Sequence, residues 1–276
     1  MEETAEQGSG LAVAVVGAGG LVGAEVLRLL AERGVPVQRV VAVGLEASLG
    51  LEVELGDIAT RVVPLTPEAL RGCQVVVGAA PPDVVLRAAA MAGDAPALFI
   101  DLSGAFSDDP HAPVVVCDVN DEVLDEPVRR VLSPAGPVGP LALYLHAVRA
   151  LAPLERVVVT LFVPASHHGR SAMEELGSQT IALLNQTEVP LGHFPERLAF
   201  NLIPLVGGVK PGTPFSMLED RVASELRRAL DEPRLTIDVT AVQVPLFSGQ
   251  AASVVVDFAR PVQVDRLRAE LSSAEG

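Results

Sequence analysis

The stretch that most restricts how this chain can fold is Leu11 to Leu30, LAVAVVGAGGLVGAEVLRLL. Leu11 to Val16 is a run of small and β-branched apolar residues suited to a strand buried on both faces. Gly17, Gly20 and Gly23 then fall at a GxxGxxG spacing. Such glycines remove side chains where a pyrophosphate would approach backbone N–H groups at a helix N-terminus, here the backbone of Gly17, Gly20, Leu21 and Val22. Val22, Val26, Leu27, Leu29 and Leu30 recur near the helical period and form the expected buried stripe. The same glycines also serve a tight strand-to-helix turn with close packing, whether or not a nucleotide binds.

The chain then alternates. Val37 to Val43, Cys73 to Ala79, Ala97 to Leu102 and Val114 to Val119 are expected strands, and Asp83 to Met91 is an expected helix. This order predicts an α/β, doubly wound parallel sheet of Rossmann-like type. The loops at its strand ends, Gly78 to Pro82 and Ser103 to Asp109, then fall near the glycine turn. Glu46 and Ser48 follow the second strand, where a dinucleotide's adenosine ribose would lie. A Glu46 carboxylate there accepts from a ribose 2′-OH and repels a 2′-phosphate, which favours NAD over NADP; alternatively, Glu46 is a solvated loop residue.

Ser133 to Pro140, SPAGPVGP, breaks the pattern and marks a boundary. The expected division is an acidic tail over 1–11, a dinucleotide-binding domain over 12–132 and a second domain over 133–276. In that second domain, Arg156 to Val163, Arg234 to Val242 and Ala252 to Phe258 read as longer strands. The runs Leu141 to Leu151, Ser171 to Asn185 and Met217 to Leu230 read as helices. This predicts an α+β domain with one sheet face available to a partner subunit.

Charge and composition narrow the partners. A net charge of −15 with Lys210 as the one lysine excludes the basic face that nucleic acid requires. Mean hydropathy is +0.40, yet Gly, Pro or charge cuts the apolar runs before the roughly 18 residues of a spanning helix. No signal-peptide pattern opens the chain, so the cytoplasm is the expected location. Cys73 and Cys117 sit in apolar runs and read as buried, inert thiols. His111, His146 and His193 show no partner motif and read as surface or core residues.

Several collinear segments resemble the aspartate-semialdehyde dehydrogenases. The family's GATGxVG resembles Gly17-Ala-Gly-Gly-Leu-Val-Gly23, and its NSSAFRMD resembles Leu102-Ser-Gly-Ala-Phe-Ser-Asp-Asp109. Its PEVN is similar to Cys117-Asp-Val-Asn120, and its SGAGxxGMEEL to Ser166-His-His-Gly-Arg-Ser-Ala-Met-Glu-Glu-Leu176, which places Gly169 among candidate cofactor contacts. Its AFNVIP is similar to Ala199-Phe-Asn-Leu-Ile-Pro204, and its RVPVFRGHS to Gln243-Val-Pro-Leu-Phe-Ser-Gly-Gln-Ala251.

The resemblance implies a thiolate nucleophile, an acid–base histidine and arginines for substrate carboxylate and phosphate. In this chain, Gly136 falls where the family's NPNCST has cysteine, Gln250 at the histidine and Gln243 at the carboxylate-binding arginine. Ser107 falls at the phosphate-binding arginine and Val163 at an active-site glutamine, while Glu219 keeps the family's glutamate and Arg221 replaces its lysine. No catalytic residue carries over.

These positions imply a non-catalytic relative resembling the Usg-type proteins, with a binding or regulatory role, a homodimeric state and a protein partner. The alternative is a nicotinamide-dependent oxidoreductase acting on aspartate semialdehyde or another small aldehyde. His167 and His168 are its candidate proton shuttle, or a metal-ligating pair, against the plain reading of a solvated loop pair.

Overall fold

The computed structural model describes residues 10–93 and 98–274. Residues 1–9 of the expected acidic tail, and Ala97 at the head of an expected strand, lie outside the described residues. The chain divides into two compact units: one runs to Pro113 and includes Leu124–Ser133, and the other holds Val114–Val123 and continues from Pro134.

The first unit comprises β1 (Leu11–Val16), α1 (Leu21–Glu32), β2 (Val37–Gly44), a β3–β4 hairpin (Glu52–Leu55, Ile58–Arg61) and β5 (Val63–Pro64). It continues through α2 (Pro67–Leu70), β6 (Val75–Gly78), α3 (Pro82–Ala92), β7 (Leu98–Asp101) and β8 (Arg130–Leu132). Among the described residues the main sheet is six-stranded, ordered β5-β2-β1-β6-β7-β8, and every pairing is parallel.

Strand β1 shows how the sequence builds it. Val13 and Val15 pack with Leu27 of α1, whereas Ala14 and Val16 pack with Val84, Val85 and Ala88 of α3. The two-residue period sends alternate side chains to opposite helical layers. The chain winds one way from β1 to β2 and the other way to β6. That makes the carboxyl end of β1, with its glycine turn, the switch point of the sheet.

Three expectations for this unit are corrected. Val22 is 52% exposed and Leu29 37%, so α1 buries a narrower stripe in which Gly23 and Leu27 are the buried residues. Val114 to Val119 is not a strand, and β8 takes the edge next to β7. Within Val114–Val123, Asn120 Oδ1 accepts the Val116 N–H (2.8 Å) and Asn120 Nδ2 donates to the Val114 carbonyl (2.8 Å). These side-chain bonds satisfy the backbone that a ladder would have used. Cys117 is consequently exposed rather than buried, and Cys73 alone is buried as expected.

The second unit contains α4 (Val138–Arg149), β9 (Leu154–Val163), α5 (Arg170–Leu184), β10 (Ile203–Pro204) and α6 (Met217–Ala229). β11 (Thr236–Gln243), β12 (Ala251–Phe258) and α7 (Val264–Ser273) complete it. Its sheet runs β10-β11-β9-β12 and is mixed: β11 is parallel to β9, while β10 and β12 are antiparallel to their neighbours.

One face of this sheet is closed by Val157, Val159, Leu161 and Val163 with Ile237, Val239, Ala241 and Gln243, all buried. The register puts Val255 opposite Val158 and Thr240 opposite Thr160 on the other face, where Val255 is 57% and Phe162 37% exposed. Among the described residues no helix is long and apolar enough to cross a membrane.

Candidate functional site

In the first unit the glycine turn is dictated by backbone crowding. A methyl group on Gly17, which has φ +93°, would lie 2.4 Å from the Ala79 carbonyl oxygen. One on Gly23 would lie 2.1 Å from the Gly17 carbonyl oxygen. Neither distance is compatible with a side chain, because the obstacle is main chain and cannot rotate away. Gly20 is the N-cap of α1; the helix has no side-chain cap and no acidic residue in its first turn. The Gly20 N–H donates to the Gly17 carbonyl (2.9 Å), which leaves the N–H groups at Leu21 and Val22 to an anion, and this part of the turn fits a dinucleotide's pyrophosphate.

Ser48 closes the turn from the second strand: its Oγ donates to the Leu45 carbonyl (2.9 Å), and its Cβ would lie 2.7 Å from a methyl on Gly19. Glu46 opens the same one-turn helix, Glu46–Ser48, and is exposed. Ser107 lies in the loop after β7, where its N–H donates to the Gly104 carbonyl (3.1 Å). That loop is shaped by Asp101, fully buried, which accepts from Ser103 N–H (2.7 Å), Ser103 Oγ (2.6 Å) and Phe106 N–H (2.8 Å). Asp101 escaped the sequence reading, although an acid at a strand end followed by Ser-Gly is a turn signal.

In the second unit Gly136 stands directly before α4, exposed, with Pro137 as the helix N-cap. A methyl group there would meet only Gln250 Oε1, at 3.7 Å, an ordinary contact. Gly136 and Gln250, far apart in sequence, are therefore adjacent. Glu225, fully buried, fixes the preceding residue: one oxygen accepts the Ala135 N–H (2.6 Å) and the other accepts from Arg221 Nε (2.6 Å). Glu219 caps α6 by accepting the Ser216 N–H (2.7 Å) and joins β11 by accepting the Ala241 N–H (2.8 Å).

Gln243 is buried, its Nε2 donating to the Val163 carbonyl (2.9 Å) while its Oε1 lies 3.0 Å from His168 Nε2. Because the amide nitrogen is committed to Val163, Oε1 accepts and His168 carries its proton on Nε2. Gly169, at φ +91°, turns the chain from the His167–His168 turn into α5.

His193 is exposed, in line with its reading as a surface residue. Its ring lies 4.9 Å from that of His168, which is 5.0 Å from His167, and Phe194 closes edge-on at 5.8 Å from His168. Burial of its ring, His168 and the Arg221 charge push His167 down to about 4, although the residue as a whole is exposed. Burial and His193 also lower His168, against the opposing bond from Gln243. His167 and His168 are thus held neutral at neutral pH. Among the described residues no group of three or more His, Cys, Asp or Glu is arranged to hold a metal ion.

Residues 12–126 match the semialdehyde dehydrogenase NAD binding domain, and residues 145–276 match the semialdehyde dehydrogenase dimerisation domain. The chain belongs to the semialdehyde dehydrogenase family. A USG-1 protein homolog of Azotobacter vinelandii is 35% identical over 96% of this chain and 79% of its own length. The aspartate-semialdehyde dehydrogenase of Rickettsia conorii is 30% identical over 96% of this chain and 78% of its own. Aspartate semialdehyde dehydrogenase II from Vibrio cholerae superposes with a TM-score of 0.90 at 26% identity, over 96% of this chain and 80% of its own. The parallel sheet of the first unit and the mixed sheet of the second are the architecture of this family.

Proposed function

We propose that this member of the semialdehyde dehydrogenase family is catalytically silent and acts by binding, in assembly or regulation. The observation that carries the reading is the pair Gly136 and Gln250. Oxidation of an aldehyde through a thioester needs a sulfur that bonds the carbonyl carbon and a group that takes up the hydroxyl proton. Glycine offers no nucleophile, and an amide exchanges no proton near neutrality. Gln243 supplies no charge for a carboxylate, and Ser107 none for a phosphate.

A nicotinamide dinucleotide, when bound, supplies hydride chemistry; this chain's contribution is to hold its pyrophosphate at Gly17, Gly20, Leu21 and Val22. Glu46 and Ser48 border the ribose in this reading, with NAD preferred over NADP. The uncovered β9–β12 face, with Val158, Phe162 and Val255, is the surface of a homodimer. A cytoplasmic location goes with this reading.

The second reading, direct hydride transfer with His167 or His168 as acid, is favoured by the 3.0 Å approach of His168 to Gln243. It is opposed by the lowered proton affinity of both rings, which leaves them neutral when an acid is wanted. A spectrophotometric assay with aspartate semialdehyde, phosphate and either dinucleotide separates the readings. No turnover is expected; turnover that disappears in His168→Ala overturns the first reading in favour of the second.

A further inference from the structure

The second unit contains a cavity of about 260 Å³ beside Gln243 and His168. It is bounded by His168, His193, Phe194, Ile203, Pro204 and Gln243, and none of its lining residues is Asp, Glu, Lys or Arg. The loop that brings His193 and Phe194 to it is held by side chains of α5. Fully buried Gln179 accepts the N–H groups of Leu198 (2.8 Å) and Ala199 (3.1 Å) and donates to the Pro190 carbonyl (3.1 Å). Glu175 accepts the N–H groups of Gly192, His193 and Phe194. A backbone this firmly anchored keeps the cavity open as a formed site rather than a gap in a mobile loop.

Resting on the reading that this unit binds rather than catalyses, we propose that the cavity takes a small, uncharged, planar molecule bearing a hydrogen-bond donor. The volume corresponds to about nine water molecules, the scale of a single substituted ring. Rings and prolines form the walls and suit a flat π-face. His168, whose Nε2–H is given to Gln243, retains Nδ1 as an acceptor. A carboxylate entering would be buried without a cation, and the nearby Glu175 would oppose it. A cation would find no carboxylate in the lining.

Benzamide, benzoate and benzamidine share one shape and differ in charge, so they test the proposal directly. Proton NMR of the full chain at about pH 8 follows the histidine ring signals during titration. Benzamide is expected to shift the signals of His168 and His193 saturably, with benzoate and benzamidine at least about tenfold weaker. Gln243→Arg is expected to reverse the order of benzamide and benzoate. His193→Ala, at an exposed position that folding tolerates, is expected to weaken benzamide several-fold.

Equal or tighter binding of either charged probe, no saturable shift with benzamide, or indifference to His193→Ala overturns the proposal. Turnover of aspartate semialdehyde with benzamide binding intact would instead remove the reading on which it rests and leave the cavity assignment standing.

Discussion

Two glycines in the two units contrast. Gly23 is enforced: any side chain would strike the Gly17 carbonyl oxygen at 2.1 Å. Gly136 is only permitted: a side chain there would touch Gln250 at 3.7 Å and nothing closer. The first therefore reports the geometry of a strand-turn-helix and says little about a bound ligand. The second is not required by its surroundings, since the head of the helix has room for a side chain there. A fold retains the glycines its backbone needs irrespective of the reaction, whereas reacting groups have no such protection.

Substitutions can break this contrast. Gly23→Ala is expected to cost about 4 kcal/mol or to prevent folding. A urea midpoint close to that of the parent would show that the turn relaxes and that its glycines are kept for a ligand instead. Glu225→Ala removes a fully buried carboxylate that holds both Ala135 and Arg221, and about 3 kcal/mol of stability should go with it. Chemical denaturation measures this; a loss below about 1 kcal/mol would mean the Pro134–Gly136 loop is not fixed by α6.

A smaller effect is expected from protons. His167 titrates at about 4 against an ordinary 6.5, so between those values the unfolded chain binds more protons than the folded one. Its contribution to stability is thus complete above 6.5 and is lost as the pH falls toward about 4. His167→Asn should flatten that part of the profile, read as urea midpoints at about pH 7 and pH 5. An unchanged slope would place the ring in solvent. Smallest of all, Gly136→Ala is expected to lie within about 0.5 kcal/mol of neutral. A large loss would make Gly136 an enforced glycine like Gly23 and dissolve the contrast.

Local patterns made much of the fold legible. The β1 run, the glycine spacing and the alternating apolar segments carry their own periodicity, and the long strands of the second sheet did likewise. VVVCDV misled because its apolar content suits a strand, while Asn120, a few residues on, supplies competing bonds to the same backbone. The α7 signal was present in Val264, Leu267 and Leu271 at helical spacing.

The candidate site was approached through collinear motifs, and two positions they picked out, Gly136 and Gln250, lie side by side in the structure. His193 was not legible, because it reaches His168 through a loop whose path is set by Glu175 and Gln179 on another element. Such long-range placement leaves no mark in local spacing.

The central claim is that no covalent intermediate forms on this chain. Intact-protein mass spectrometry after incubation with aspartate semialdehyde and NAD or NADP, quenched in acid without phosphate, tests it most directly. The account expects the 28.7 kDa chain at its unmodified mass. An added acyl group, mapped to Cys117 or any other residue, would contradict it.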